Sequence, residues 1–256
     1  MPTETKISPL KDKPLRQPGQ SLDDEIFERA WDGVISYYFL AFMMAFLVVV
    51  EWTWWFLDAP RNPYIFTLVV FPIFVFSLFR IRRGLKELKP LKLARRGEIA
   101  VGQFLEHFRE DGARVFHDLV GDKFNVDHVL VCKQGVFVIE TKTYSKPKDG
   151  RIVFDGKKIL VDGYDTESKL LTQARAEATW LKRLIKDSTG KYIDVSPVIV
   201  FPGWFVETTK EGEKSDVTVL NPRLLRGRIE KMREQLSNED LMLISYHISR
   251  YSRAIE

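Results

Sequence analysis

Two runs without a charged side chain, Val34 to Val50 and Pro63 to Phe79, constrain this chain more than any other feature. The first is dominated by Phe, Leu, Val, Met and Ala and continues past Glu51 into Trp52, Trp54, Trp55 and Phe56. A helix crossing a bilayer needs roughly 20 apolar residues, with about 17 the lower bound, and each run reaches it. Tryptophans closing the first run suit the water–lipid boundary. Pro72 bends a spanning helix without excluding it. The competing reading is a buried helical hairpin inside a soluble core. Two adjacent runs this aromatic and charge-free favour a transmembrane hairpin over residues 31–80.

Orientation follows from the basic residues. Arg80, Arg82, Arg83, Lys86, Lys89, Lys92, Arg95 and Arg96 follow the second run, whereas the connecting stretch Asp58 to Asn62 offers only Arg61. The positive-inside rule then places both termini in the cytoplasm and the protein in the cell (inner) membrane. Residues 81–94 read as a basic linker or helix continuation, broken at Pro90. It would touch lipid headgroups rather than act as a DNA site. Residues 1–30 are charged, contain Pro14 and Pro18 and lack the pattern of a cleaved signal peptide. They read as a mostly flexible cytoplasmic tail, in which Ser21-Leu-Asp-Asp-Glu can start a short helix. Cys132 is the only cysteine, so no internal disulfide exists, which fits a reducing compartment. The net charge of +4, from 39 basic and 35 acidic side chains, is too mild to demand an anionic partner.

Past the linker the pattern becomes that of a mixed α/β domain of about 160 residues, a normal single-domain size. Gly97 to Phe108 repeats apolar residues at helical spacing. Ala113 to Leu119, Val126 to Cys132 and Val136 to Lys142 read as strands, the last two joined by a hairpin at Lys133-Gln134-Gly135. Asp155-Gly156 marks a second hairpin between Arg151–Phe154 and Lys158–Val161. Thr166 to Lys186 reads as a helix with one apolar stripe. Val195 to Phe201 reads as a central strand whose start, at Pro197, lies near an edge. Val217 to Leu220 is a further strand, and Leu224 to Leu236 and Asn238 to Arg253 are helices. These residues divide into a core over 95–222 and a C-terminal helical segment over 223–256, which together make up the roughly 160 residues.

The first hairpin holds the residues most able to carry chemistry. Glu140 and Lys142 alternate to the same face of their strand. A two-residue turn at Gln134-Gly135 would pair Lys133 with Val136, Asp127 with Lys142 and Val129 with Glu140. Asp127, Glu140 and Lys142 then share a patch; a three-residue loop without a bulge would turn Asp127 away. Two carboxylates suit a hard divalent ion, Mg²⁺ or Mn²⁺, which takes oxygen ligands and activates water near a phosphate. The lysine can orient that water or offset developing negative charge. From periodicity alone, a cross-strand salt bridge at a solvated strand end is the favoured account of the three residues. Glu98 shares a helix turn with Gly102 and Leu105 and so leans toward the core, either to serve the site or to face the helix dipole. Gln173 borders the apolar stripe of the later helix. His107, His117, His128 and His247 lack metal spacing, and His128 alternates away from Asp127. Trp204 and Phe205 can stack on bases or pack. There is no phosphate-binding glycine loop and no nucleophile elbow.

The ordered set Gly97-Glu98, Val126-Asp127-His128-Val129, Gly135-Val136-Phe137-Val138-Ile139-Glu140-Thr141-Lys142, Gln173 and Val198-Ile199-Val200-Phe201-Pro202 resembles the NERD (nuclease-related) domain. That family is similar to the PD-(D/E)XK nuclease superfamily. The likeness covers roughly residues 95–207, with Val126 where the superfamily motif has proline. It implies a restriction-endonuclease-like mixed sheet flanked by helices, here preceded by the two transmembrane helices. It further implies Asp127 and Glu140 as metal ligands, Glu98 as an added ligand or water-holder, Lys142 as the catalytic lysine and Gln173 as an orienting residue. The expected activity is Mg²⁺- or Mn²⁺-dependent hydrolysis of phosphodiesters in nucleic acid, with DNA the expected substrate and the lipid bilayer a second partner. The alternative is a catalytically idle module that keeps the fold and recruits nucleic acid or protein to the membrane.

Overall fold

A computed structural model describes residues 13–57, 62–122, 124–166 and 169–254, which divide into a helical unit, residues 21–93, and an α/β unit made of residues 13–20 with 94–254. The helical unit contains α1 (Gln20–Ala30), a π turn over Trp31–Ile35, α2 (Ser36–Phe56) and the first part of α3 (Pro63–Glu106). Its helices pair antiparallel. Near one end, a Cβ on Gly84 would lie 2.5 Å from the Gly33 carbonyl, so small residues let the backbones meet. Farther along, Tyr37 stacks edge-on against Phe76 with the Arg80 guanidinium above it. Near the other end the Trp52 indole donates to Thr67 Oγ1 at 3.1 Å and packs on Tyr64. The outer faces are apolar and bare: Phe42, Phe56 and Leu68 are 66, 71 and 75 % exposed. Both helices are long and apolar enough to cross a membrane. The connecting residues 58–61, with Arg61, lie outside the described residues.

The basic stretch 81–94 is helical throughout. α3 continues through Pro72 and Pro90 to Glu106 instead of stopping at Pro90. Proline removes one backbone donor and disturbs a single turn. The Leu, Lys, Arg, Glu and Ala around Pro90 are strong helix formers, and Arg83 bonds Glu87 one turn on.

The α/β unit continues as β1 (Arg114–Val120), β2 (Asn125–Cys132), β3 (Gly135–Thr141), β4 (Arg151–Phe154), β5 (Ile159–Val161), β6 (Tyr164–Thr166), α4 (Lys169–Thr189), β7 (Val195–Val200), β8 (Phe205–Thr208), β9 (Thr218–Leu220), α5 (Leu225–Glu230) and α6 (Asn238–Ala254). One mixed sheet has the order β1-β2-β3-β7-β9; a second has the order β6-β5-β4-β8. β1, β2 and β3 are antiparallel neighbours, while β3, β7 and β9 run parallel. The expected mixed sheet flanked by helices is thus present. Val101 and Leu105 of α3, with Leu225 and Ile229 of α5, cover one face of the larger sheet. Leu181 and Ile185 of α4, with Ile244 and Ile248 of α6, cover the other. The smaller sheet packs on the start of α4 through Ile152, Phe154 and Leu171.

The β2–β3 register differs from the expected one. Cys132 pairs with Gly135 and His128 with Ile139, so the turn is Lys133-Gln134, not Gln134-Gly135. Neither turn residue has a positive φ, and Gly135 instead takes φ +142° at the first position of β3, a conformation open mainly to glycine. The shift is two residues, so the side chains keep their faces. One step past the last pair, Asp127 stands at Glu140 rather than at Lys142.

Other departures are local. β6 and β8 are three and four residues long, too short to show periodicity. The helix expected over Leu224 to Leu236 ends at Glu230, because Gln235 and Leu236 donate their backbone N–H to the Lys133 carbonyl and draw the chain onto the hairpin turn. β9 pairs only with Val198–Val200, so Pro197 lies where one side of β7 is still an edge. Residues 13–20, read as part of a flexible tail, lie on the α/β unit. Leu15 packs beside the α4–α6 core, Arg16 holds the buried Asp118 at 2.7 Å, and Pro18 fills the space over Gly102.

Candidate active site

The site forms where β3 leaves the sheet. β3 is buried along its whole length, and the ladder reaches one residue farther, with Lys142 N–H donating to the Val200 carbonyl at 2.9 Å. That bond fixes the backbone on which Glu140 and Lys142 share a face. Glu140 is only 2 % exposed. Its Oε1 accepts from Lys142 Nζ at 2.5 Å and from Gln173 Nε2 at 2.8 Å. Asp127 arrives from β2, and its Oδ2 accepts the Thr141 backbone N–H at 2.7 Å. The hairpin thereby locks one carboxylate to the strand that carries the other.

Helices supply the remaining groups. Gln173 projects from α4 and reaches Glu140 and, at 2.8 Å, Glu177 Oε1. Glu98 stands on α3, only 8 % exposed. Its neighbour Gly97 presses against the segment after β3, where an added Cβ would meet Thr143 Oγ1 at 1.7 Å. Glycine is needed there so that α3 can approach the strand. Of the sequence-predicted set, Asp127, Glu140, Lys142 and Gln173 are joined by hydrogen bonds or by register, and Glu98 joins through the electric field of Glu140 and Lys142.

The charges are unbalanced. Burial, the Asp118 charge and the Glu140 charge push the Glu98 carboxyl up to about 8. Burial, then Glu140 and Glu98, hold Asp127 well above the usual carboxylate range. Burial opposes the charge on Lys142, but the adjacent Glu140 outweighs it and raises the ammonium above its ordinary value. Lys142 remains partly open to solvent, with 23 % of its side chain exposed, and so marks the mouth of the site.

Glu177 is the residue that sequence reasoning passed over. It is fully buried on the inward face of α4, and burial followed by the Glu140 charge pushes its carboxyl up to about 9. The signal was present: Glu177 lies four residues after Gln173, among Ala174, Ala178 and Leu181. An acid on an apolar stripe stays buried only with a partner, and here that partner is the Gln173 amide.

The donor chemistry suits a hard cation. Carboxylates outnumber the one lysine, and Glu140 Oε2 and Glu177 Oε2 are buried without a hydrogen-bond partner. Among the described residues no group of three or more His, Cys, Asp or Glu side chains is gathered as a ready-made metal cage. Mg²⁺ commonly uses one or two carboxylates and keeps its remaining waters, so the Asp127–Glu140 pair fits that use.

The histidines lie elsewhere. His128 faces away from Asp127, fully buried, with its Nδ1 2.9 Å from His117 Nδ1; His117 Nε2 lies 3.0 Å from Glu106. Burial lowers both rings below the usual histidine range. Trp204 is buried in the core of the smaller sheet, while Phe205 is 66 % exposed.

No curated protein and no solved structure matches the chain. One family model does. Its match runs from within α3, just before Glu98, to the end of β7, and so takes in Asp127, Glu140, Lys142 and Gln173. Residues 93–202 match the nuclease-related domain family, NERD.

Proposed function

We propose that this chain is a membrane-tethered, metal-dependent nuclease of the PD-(D/E)XK type that hydrolyses phosphodiester bonds in nucleic acid, DNA first. Nuclease-related character rests on the family match over residues 93–202. The observation that carries the finer reading is the state of Glu140: one oxygen is held by Lys142 and Gln173, and the other is buried and unpartnered. A divalent cation, Mg²⁺ or Mn²⁺, held by Asp127 and Glu140 with Glu98 nearby, would supply Lewis acidity and an acidified water. Lys142, at the solvent mouth, would hold the attacking water and offset charge on the scissile phosphate. Gln173, anchored by Glu177, keeps Glu140 in one rotamer. The bare apolar faces of α2 and α3 support membrane insertion, and the eight basic residues from Arg80 to Arg96 support cytoplasmic termini.

The absence of a ready three-ligand cage among the described residues favours one rival, an idle module in which Lys142 only neutralises Glu140. Cleavage by the full-length chain separates the two. Wild type in detergent or nanodiscs should cut linear, nicked or single-stranded DNA, or RNA, only with Mg²⁺ or Mn²⁺, and Glu140→Gln should not. A wild type that binds but never cuts any of these substrates supports the idle module.

A further inference from the structure

A concave site lies on the opposite side of the larger sheet from the carboxylates. Phe137 and Glu140 are three apart on β3 and so face opposite ways. Beneath the Phe137 face, between the neighbouring strands β8 and β9 and the segment around α5, is a cavity of about 710 Å³. Small-molecule pockets span about 300–1,000 Å³. Its floor is apolar, with buried Phe137, Val198, Leu225 and Ile229. Water in such a recess finds few partners.

The rim has a different character. Arg223, Arg228 and Lys231 line the opening, and none of the three has a carboxylate within ion-pair distance among the described residues. The one acid on the lining, Asp216, is already held by Arg175 through two hydrogen bonds of 2.7 and 2.8 Å. Three uncompensated cations over an apolar recess set up a positive potential focused on its mouth. Ser196 and Thr218 also line it, and a hydroxyl can accept or donate hydrogen bonds.

We propose that this cavity binds a small organic anion, a phosphate or carboxylate carried on an apolar body. The body would occupy the floor and the anionic group would face Arg223, Arg228 and Lys231. The proposal is independent of the nuclease reading, because no residue of the carboxylate site lines the cavity. Gly227 offers a clean block. It lines the cavity, and a Cβ there meets nothing within 4 Å, so a side chain begun at this position starts in open space.

The test is calorimetric titration of the full-length chain in nanodiscs, against empty nanodiscs, with 2-naphthyl phosphate, 2-naphthol and inorganic phosphate. The phosphate ester should bind saturably, at least about tenfold more tightly than either fragment. Arg223→Gln with Arg228→Gln and Lys231→Gln should weaken it by about tenfold or more, with an unchanged melting profile. Gly227→Leu should abolish binding. If the triple variant fails to fold, Arg228→Gln alone gives the same comparison. No saturable binding, equal binding of naphthol, equal binding of inorganic phosphate, or binding that survives Gly227→Leu would each overturn the proposal.

Discussion

Lys142 and Asp127 carry the sharpest predictions because each has a defined bond to lose. Lys142 contacts Glu140 at 2.5 Å. In the catalytic account a bound cation already compensates the carboxylates. Lys142→Ala should then leave metal-bound stability nearly unchanged, while cleavage falls by at least about 10²-fold. In a purely structural cluster the same change leaves buried acids repelling, and should cost about 1–3 kcal/mol in denaturant melts even with Mg²⁺. Asp127→Asn keeps an oxygen for the Thr141 N–H but removes the charge. On the proposed function Mn²⁺ should raise the wild-type Tm through linkage, and Asp127→Asn should abolish that rise with little loss of fold. A rise that persists in Asp127→Asn with Glu140→Gln would move the metal elsewhere. Asp127, Glu140 and Lys142 were legible from strand alternation, because parity survives a two-residue slip in register. Which of them stand opposed was not, because the turn depended on where Gly135 placed its positive φ. Glu177 went unread because an acid inside an apolar stripe looks like an interruption until Gln173 is seen bonding to it.

At the level of elements, the docking of α3 against the end of β3 decides whether Glu98 reaches the site. Gly97 permits that docking, and Thr143 is what a larger residue would strike. Gly97→Ala should destabilise the fold by about 1–3 kcal/mol, the usual cost of overpacking, and should lower cleavage more than expected from stability alone. Thr143→Ala in the same chain should recover part of both losses, as read from chemical melts and initial rates. Unchanged stability in Gly97→Ala would mean that the contact is not a tight one. Strongly patterned elements, such as α4 and β7, were readable from their periodicity and apolar runs. The continuous α3 was not, because Pro90 reads as a stop and only the helix formers on either side carry the chain through it. Short α5 was misjudged because its end is set by a hydrogen bond to the distant Lys133 carbonyl, which no local signal encodes.

Across the whole molecule, buried acids tie stability to pH. Glu98 rises from an ordinary 4.5 to about 8, and Glu177 from 4.5 to about 9. Folded protein therefore binds more protons than unfolded protein between these values, and stability is full below about 4.5 and falls as pH rises through 8 to 9. Metal-free Tm should drop across that window, and Mg²⁺ should restore most at its alkaline end, where the carboxylates are charged. A Tm that climbs steadily from pH 5 to pH 9 without metal would contradict the assignment. Topology is a separate matter, read from the apolar runs and basic flank. A reporter fused to the C-terminus should be active only in its cytoplasmic form, and periplasmic activity would reverse the orientation. Fold class and most of the carboxylate site were thus readable from patterning and resemblance, whereas the second sheet's short strands and the basic-rimmed cavity arise from long-range packing. The central claim, that Asp127, Glu140 and Lys142 perform metal-assisted phosphodiester hydrolysis, is tested most directly by one cleavage measurement. Full-length wild type and Lys142→Ala are compared on labelled DNA with Mg²⁺, Mn²⁺ or EDTA. The account predicts cutting by wild type with either metal, none with EDTA, and near-complete loss in Lys142→Ala despite an unchanged metal-dependent Tm; equal cutting by the two proteins, or cutting in EDTA, would contradict it.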